Sequence, residues 1–202
     1  MVWGIRRSLL LLVVLVAGLG LAVQAFALDP RFKDADGDLV ANPPSDPSQF
    51  VDPAVLIFAY TPVEDPAVYV KVWDGFLKHL EKTTGKRVQF FPVQSNAAQI
   101  EAMRAGRLHV AGFNTGATPL AVNCAGFVPL TLMAAKDGTY GYRMEIITYA
   151  GSGIDRVEDL KGKKVAFTTE TSNAGFKAPS AILRDTFKLQ VGKDIEPVFS
   201  GK

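Results

Sequence analysis

The segment AVLIFAY (residues 54–60) decides the fold class, because every one of its residues is apolar. A short run without polar residues is typical of a strand that is covered on both faces, as in a parallel sheet. Pro66 follows at a position that favours the start of a helix, and Gly85 is typical of a helix end. Between them, apolar residues recur at helical spacing and predict one apolar stripe: Tyr69, Val72, Trp73, Phe76, Leu77 and Leu80.

The alternation of strand and helix continues along the rest of the chain. The pattern predicts strands at Arg87–Val93, Leu108–Phe113, Phe127–Ala134, Arg143–Tyr149, Lys163–Thr169 and Ile195–Phe199. It predicts helices at Ala97–Arg104, Thr115–Val122 and Ala174–Lys188, although Pro179 would kink the last one unless its first turn begins near Lys177. Alternation of this kind predicts an α/β fold with mostly parallel sheets and right-handed crossovers.

Composition along the chain suggests two lobes. Residues 28–53 contain several proline turns and predict an irregular leader. We expect lobe 1 at residues 54–150, a hinge at residues 151–162 and lobe 2 at residues 163–202. Two strands and one helix are too few to enclose a core. We therefore expect either that the sequence is the N-terminal part of a longer protein or that another molecule completes lobe 2.

The first 27 residues have the order of a secretory signal. Arg6 and Arg7 precede an apolar run from Leu9 to Val23, and Ala25-Phe26-Ala27 provides the small residues that signal peptidase requires. A membrane anchor is the alternative, but a span needs roughly 20 apolar residues and this run is shorter. We expect cleavage before Leu28 and a periplasmic mature protein.

Charge and composition exclude several classes of function. Of the 22 basic residues two lie in the leading segment, so its removal leaves 20 basic against 20 acidic residues. Nucleic-acid binding needs a basic surplus on one face, so no nucleic-acid partner is predicted. One cysteine excludes an intramolecular disulfide, and two histidines argue against a histidine-rich metal centre. No metal site and no cofactor are predicted.

Polar residues follow the predicted strands at their carboxyl ends, where open parallel sheets bind ligands. Most carry hydroxyls or amides, and each alone could be a helix cap. Together with unpaired N–H groups at helix starts they could bind an anion without lysine. The predicted ligand-binding residues are Tyr60, Thr61, Ser95, Asn96, Asn114, Thr115, Thr171, Ser172, Asn173 and Ala174.

Other candidates are weaker. Asp34, Asp36 and Asp38 resemble the start of a calcium loop, but the later loop positions do not fit and a polar turn is the better interpretation. The sequence contains no Ser-His-Asp pattern, no G-x-S-x-G elbow and no phosphate loop of the G-x-x-x-x-G-K-[ST] type. No catalytic residue is predicted, and we expect that the protein is not an enzyme.

Two segments carry a family resemblance. VEDLKGKKVAF (residues 157–167) resembles the hinge of two-lobed periplasmic solute-binding proteins, and SNAGFKAP (residues 172–179) resembles the S-x-S-G-[FY]-x-x-P stretch of the phosphonate/phosphite/phosphate-binding proteins of ABC importers. Residues 90–104 and 109–113 also resemble that family. The likeness extends from Val55 to Lys202. It implies a type 2 periplasmic-binding fold whose lobes close on an oxyanion, with ABC permease subunits as partners.

The sequence departs from the family pattern at three positions. Ala174 replaces the second serine of the motif, so one hydroxyl donor is missing, and Asn96 and Phe113 match positions that are often tyrosine in the family. The resemblance also places the chain end one residue before a histidine that contributes to the family's site. It thus implies a C-terminally truncated chain that binds weakly or not at all alone.

Three functions remain open from the sequence. The leading one is a solute-binding component that captures phosphonate, phosphite or phosphate and delivers it to an importer. The second keeps the fold but makes it a periplasmic sensor module for a receptor kinase. The third is an exported enzyme, for which Glu170 is the nearest ionisable group in the loop.

Overall fold

The computed structural model describes residues 28–63 and 66–201, so the predicted signal segment lies outside the described residues. The strands are β1 (Val55–Tyr60), β2 (Arg87–Phe90), β3 (Val110–Gly112), β4 (Lys164–Phe167) and β5 (Glu196–Phe199). The α-helices are α1 (Pro66–Thr84), α2 (Asn96–Arg104), α3 (Thr118–Ala125) and α4 (Ala178–Asp185), and short 3₁₀ helices span Pro47–Gln49 and Val157–Leu160. Within these ranges no helix combines the length and the hydropathy that a membrane span needs.

All strand pairs within the two sheets are parallel, as the alternation predicts. The first sheet has the order β2-β1-β3, and the second pairs β4 with β5. Phe58 of β1 lies opposite both Phe90 of β2 and Val110 of β3, which makes β1 the central strand. In parallel sheets of this kind the loops that follow the strands gather at one edge, so the sheet order places the candidate loops together.

Strand β1 is covered on both faces, which explains its apolar sequence. On one face Phe58 is 3% exposed, and its ring centroid lies 5.1 Å from that of Trp73 and 5.2 Å from that of Phe76 in α1. On the other face Ala59 is fully buried in a cluster with Val93, Ala102 and Leu108. Phe58 therefore packs against α1 on one face of the sheet, and Ala59 packs against α2 on the other.

Lobe 2 has its own apolar clusters. Leu183 and Ile195 are almost fully buried and pack with Leu160 and Leu189 beneath the β4–β5 sheet. At the carboxyl end of the sheet the rings of Phe167, Phe176 and Phe199 contact one another, with centroids 5.0–6.0 Å apart. Side-chain packing of this kind holds the loop after β4 against the end of β5.

The strands predicted at Phe127–Ala134 and Arg143–Tyr149 are wrong for this structure. Residues 127–149 form no strand, and most of their side chains are exposed; Leu130 and Ile147, for example, are each 86% exposed. A strand needs a neighbour that pairs its N–H and C=O groups. Residue pattern alone predicts an extended segment, but it does not show whether the described chain provides that neighbour.

Helix boundaries differ from the predicted ones for local reasons. A π-helical turn at Asn173–Lys177 precedes α4, which starts at Ala178. Pro179 thus lies in the first turn of α4, where a missing N–H is tolerated. The apolar stripe of α1 is narrower than predicted, because Val72 is 64% exposed.

Residues 28–53 contain turns, bends and one short 3₁₀ helix, and their N-terminal part contacts lobe 1. The N–H of Asp29 donates to the carbonyl of Asn123 in α3 over 2.7 Å. The guanidinium of Arg31 donates to the carbonyl oxygens of Arg104 and Cys124, in the last turns of α2 and α3, over 3.4 Å each. Further along, the Asp34 carboxylate accepts from three successive N–H groups, so the acidic cluster forms a polar turn.

Candidate functional site

A cavity of about 410 Å³ opens between the carboxyl ends of the strands of both lobes. Lobe 1 contributes the loops after β1, β2 and β3, and lobe 2 contributes the loop after β4 and the end of β5. The lining residues are Thr61, Pro62, Val63, Ser95, Asn96, Ala97, Asn114, Thr168, Thr169, Glu170, Thr171, Ser172, Phe199 and Gly201. The position agrees with the expectation that parallel sheets bind ligands at this edge.

In the lobe 1 wall, Thr61 connects β1 to the chain that follows β3. The residue is 4% exposed. Its hydroxyl accepts from the N–H of Asn114 over 3.0 Å and donates to the carbonyl of Gly112 over 3.3 Å. Both hydrogen-bonding capacities are thus used within the protein, and the hydroxyl fixes the wall's shape.

Two further polar side chains of this wall accept from backbone N–H groups near helix starts, Ser95 as the cap of α2 and Asn114 in the turn before α3. Ser95 Oγ accepts from the N–H of Ala98 over 3.1 Å at the start of α2. Asn114 Oδ1 accepts from the N–H of Ala117 over 2.8 Å just before α3. A cap occupies the side-chain oxygen, so these residues order the helix starts that face the cavity. Residues 115–117 form a turn, and α3 begins at Thr118, later than the predicted start at Thr115.

The lobe 2 wall is built around Gly175. A Cβ at this position would lie 2.8 Å from both Cβ and Cγ2 of Thr168, so glycine permits the close approach of the loop to the end of β4. Ser172 Oγ accepts from the N–H of Gly175 over 3.0 Å and caps the π-helical turn. The loop Thr168–Ser172 is therefore folded against the sheet as a fixed unit.

One hydroxyl of the lobe 2 wall differs from the others in its hydrogen bonding. The hydroxyls of Thr169 and Thr171 hydrogen-bond to each other over 3.3 Å. Thr168 Oγ1 is buried, and no hydrogen-bond partner faces it among the described residues. A buried unpaired hydroxyl costs free energy unless a further group pairs with it.

Asn96 links the two walls. The side chain is 6% exposed, and its Nδ2 donates to Thr171 Oγ1 over 2.7 Å, across from lobe 1 to lobe 2. Within residues 28–63 and 66–201, its buried Oδ1 has no hydrogen-bond partner. Asn96 therefore brings one unused polar atom to the point where the lobes meet.

The cavity wall is nearly uncharged. Among the described lining residues Glu170 carries the only ionisable side chain, and it is exposed. The rest are hydroxyl, amide, apolar or glycine residues. An anion in this cavity would be bound by neutral donors and by N–H groups at helix starts.

The structure brings six of the ten predicted ligand-binding residues to the cavity wall: Thr61, Ser95, Asn96, Asn114, Thr171 and Ser172. Tyr60, Thr115, Asn173 and Ala174 do not line it. The Tyr60 ring packs against α1, with its centroid 4.7 Å from that of Trp73. Its hydroxyl contacts Met133 Sδ over 3.3 Å. Burial, with a smaller contribution from Tyr142, raises the pKa of the Tyr60 phenol above its usual value.

Thr168, Thr169 and Phe199 are among the lining residues that are missing from the predicted set. Each lies at or directly after the carboxyl end of a strand in lobe 2. That position is the signal that could have found them, because it is the rule that located the other loops. The strand-end rule reaches the loop from Thr168 to Ala174, but the predicted set includes only its residues from Thr171 onward.

Comparison with known proteins identifies the family. The family described as "ABC transporter, phosphonate, periplasmic substrate-binding protein" matches residues 58–202. The chain belongs to this family. It is a family of substrate-binding transport proteins, and its description agrees with the resemblance in the loop after β4.

Curated relatives carry related names. The phosphate-import protein PhnD of Mycolicibacterium smegmatis is 29% identical over 158 residues, which cover 74% of this chain and 49% of the relative. The phosphonates-binding periplasmic protein of Escherichia coli is 29% identical over 111 residues, which cover 53% of this chain and 33% of the relative. The chain thus spans about half of the first relative and a third of the second.

Solved structures share the fold. A binding protein component of an ABC phosphonate transporter from Pseudomonas aeruginosa aligns with a TM-score of 0.62 and 22% identity, over 72% of this chain and 50% of that one. PhnD1 from Prochlorococcus marinus, solved in complex with methylphosphonate, aligns with a TM-score of 0.53 and 21% identity, over 75% of this chain and 57% of that one. The α/β fold with parallel sheets is therefore that of periplasmic phosphonate-binding proteins.

Proposed function

We propose that this protein is the substrate-binding component of an ABC importer and that it captures phosphonate, phosphite or phosphate in the periplasm. The observation that carries the proposal is the cavity at the strand ends, whose wall offers neutral hydroxyl, amide and N–H groups. Membership of the family of periplasmic phosphonate-binding proteins supports the same function. The chain spans about half the length of its first relative. The proposal therefore concerns the whole protein to which this chain belongs.

Helix starts provide the main attraction for an anion in this proposal. The hydrogen bond from the N–H of Gln99 to the carbonyl of Ser95 is the first i→i−4 bond of α2. The N–H groups of Asn96 and Ala97 precede it, and Ala97 lines the cavity. Unpaired N–H groups and the helix dipole together stabilise negative charge, so no lysine is required.

Thr168 Oγ1 and Asn96 Oδ1 would complete the binding. Thr168 Oγ1 can donate to an anionic oxygen, and this pairing removes the cost of its burial. Asn96 Oδ1 accepts, so it would pair with a protonated oxygen of the ligand. A partly protonated tetrahedral oxyanion provides both kinds of oxygen.

Calorimetry tests which oxyanion the protein binds. The purified full-length protein that contains this sequence would be titrated with methylphosphonate, phosphite and phosphate, with sulfate as the control of similar shape that carries no proton at neutral pH. We expect saturable binding of at least one phosphorus oxyanion and no heat from sulfate. Binding of none of the three phosphorus oxyanions, by a protein whose circular dichroism shows that it is folded, would refute the proposal.

The proposal includes delivery to permease subunits at the inner membrane after export and cleavage before Leu28. Amino-terminal sequencing of the periplasmic protein should begin at Leu28. Disruption of the coding sequence should slow uptake of the bound oxyanion, and a plasmid copy should restore it.

Binding without chemical change is the last part of the proposal, because no catalytic residue and no cofactor are assigned. Phosphorus NMR of the ligand recovered after incubation should show it unaltered. A new phosphorus resonance that depends on the protein would indicate an enzyme.

A further inference from the structure

A contact between the lobes lies beside the cavity and has not been assigned a role. Three interactions form it. Asn96 Nδ2 donates to Thr171 Oγ1 over 2.7 Å, the ammonium of Lys177 donates to the carbonyl of Gly116 over 2.7 Å, and the Gly116 main chain packs against the loop after β4. We call Asn96, Gly116, Thr171 and Lys177 the interlobe contact. Its partners are 61 and 75 residues apart in the sequence, so it joins the lobes and not neighbouring turns.

Gly116 is the residue on which this contact depends. It is buried, and its φ is not in the left-handed region, so backbone conformation does not require glycine here. Close approach does. A Cβ on Gly116 would overlap the carbonyl oxygen of Thr171 and lie 2.8 Å from the backbone nitrogen of Asn173. Both are main-chain atoms, which cannot rotate away as a side chain can, so a methyl group would force the lobes apart.

Lys177 and Asn96 hold the same contact from two sides. Lys177 lies in the π-helical turn of lobe 2 and reaches the loop before α3 in lobe 1. Asn96 lies at the start of α2 in lobe 1 and reaches the loop after β4. Their hydrogen bonds run in opposite directions across the boundary, which fixes both the distance and the orientation of the lobes.

We propose that Gly116 sets how closely the two lobes approach, and that Lys177 and Asn96 stabilise the close arrangement. Gly116 and Lys177 do not line the cavity, so they act on ligand affinity through lobe closure and not by touching the ligand. This inference rests on the proposed function for its effect on affinity. Its effect on the distance between the lobes is independent of any ligand.

The distance between the lobes is the first test. Spin labels on the exposed native Cys124 of α3 and on a cysteine introduced by Lys193→Cys in lobe 2 report that distance by electron resonance. We expect Gly116→Ala to lengthen or broaden the distance distribution of the labelled protein. Gly141→Ala is the matched control, because its Cβ meets nothing within 4 Å. A Gly116→Ala distribution identical to that of the parent protein overturns the inference.

Lys177→Met is the second variant, and it keeps the inference testable if Gly116→Ala does not fold. It removes the ammonium and keeps the length of the side chain. We expect a smaller change of the distance distribution in the same direction, and Lys177→Arg should restore part of the parent distribution. No change in Lys177→Met, measured on a protein with unchanged circular dichroism, counts against the contact as a closing element.

Ligand affinity is the third test. If closure falls to about a tenth of its population, apparent affinity falls about tenfold. We expect a loss of this order for methylphosphonate in Gly116→Ala and none in Gly141→Ala. If the parent protein binds no phosphorus oxyanion but the distance changes as described, the closure inference holds and the proposed function fails. If oxyanions bind and the distance does not change, the proposed function holds and the closure inference fails.

Discussion

The two walls of the cavity use similar residues in different ways. In the lobe 1 wall the side chains of Thr61, Ser95 and Asn114 pair with backbone N–H groups of their own lobe, while Asn96 Oδ1 has no partner among the described residues. In the lobe 2 wall Ser172 is also a cap, but Thr168 Oγ1 has no partner among the residues that the structure describes. Polar residues at a strand end are thus of two kinds, those whose side chains pair within the wall and those that leave a polar atom unpaired.

The comparison explains why hydroxyl content alone is a poor guide to a binding site. A side-chain oxygen that caps a helix satisfies an N–H that would otherwise be unpaired. Its loss therefore lowers stability first. A buried hydroxyl without a partner has the opposite property, because its removal costs little stability but takes a hydrogen bond from the ligand.

The largest effect is expected for Thr61→Val in the lobe 1 wall. The substitution leaves the buried N–H of Asn114 without its acceptor, and an unpaired buried group costs about 1–3 kcal/mol. Urea unfolding measures the loss. Thr115→Val is the control, because this threonine is exposed and does not line the cavity; a change within about 0.5 kcal/mol is expected there. Equal losses in the two variants would mean that Thr61 does not have the structural role described.

Loss of the caps should have similar effects in both walls. Ser95→Ala and Ser172→Ala each remove an acceptor for a helix-start N–H, and loss of a cap typically costs about 1 kcal/mol. Urea unfolding should show a loss of this size in each variant, and Ser95→Asn, which keeps a capping side chain, should retain most of the stability. If Ser172→Ala is neutral while Ser95→Ala is not, the lobe 2 serine is not a cap in solution.

Thr168→Val separates the two walls most clearly. Valine keeps the shape and removes a buried hydroxyl that has no described partner, so the free energy of unfolding should stay the same or rise slightly. Affinity for methylphosphonate should fall about five- to tenfold, the equivalent of one hydrogen bond of about 1 kcal/mol. Calorimetry and urea unfolding on the same preparation check both halves. A destabilised variant with normal affinity would reverse the assignment.

The smallest effect is expected for Tyr60→Phe, on the far side of β1 from the cavity. Burial raises the pKa of the Tyr60 phenol, so its contribution to stability is present below its usual pKa and is lost as the pH rises through the higher value. Phenylalanine does not ionise, so the variant does not lose this stability at high pH. Relative to the parent protein, its free energy of unfolding should rise as the pH increases above about 10, where a tyrosine phenol ionises in the unfolded chain. Affinity for methylphosphonate should not change; a clear loss would place Tyr60 in the site.

Much of the fold could be predicted from the sequence, because buried strands and helices have characteristic local patterns of apolar residues. The apolar run that became β1 and the parallel direction of the strands follow from side chains that pack on both faces. The segment at residues 127–149 failed because its pattern indicates an extended chain, while strand formation requires pairing with a neighbour. The candidate site was predicted in part, since the strand-end rule finds loops but does not tell a cap from a free hydroxyl.

By itself, the sequence determined the type of most elements, the parallel sheets, the loops that approach the cavity and the family resemblance near Ser172. These depend on residue order within short windows, where periodicity and turn residues act locally. Only the tertiary structure decided which polar atoms are already paired and how the lobes meet. The hydrogen bonds from Asn96 to Thr171 and from Lys177 to Gly116 join residues far apart in the sequence. No local pattern records such a contact, because it exists only when separate loops are folded against each other.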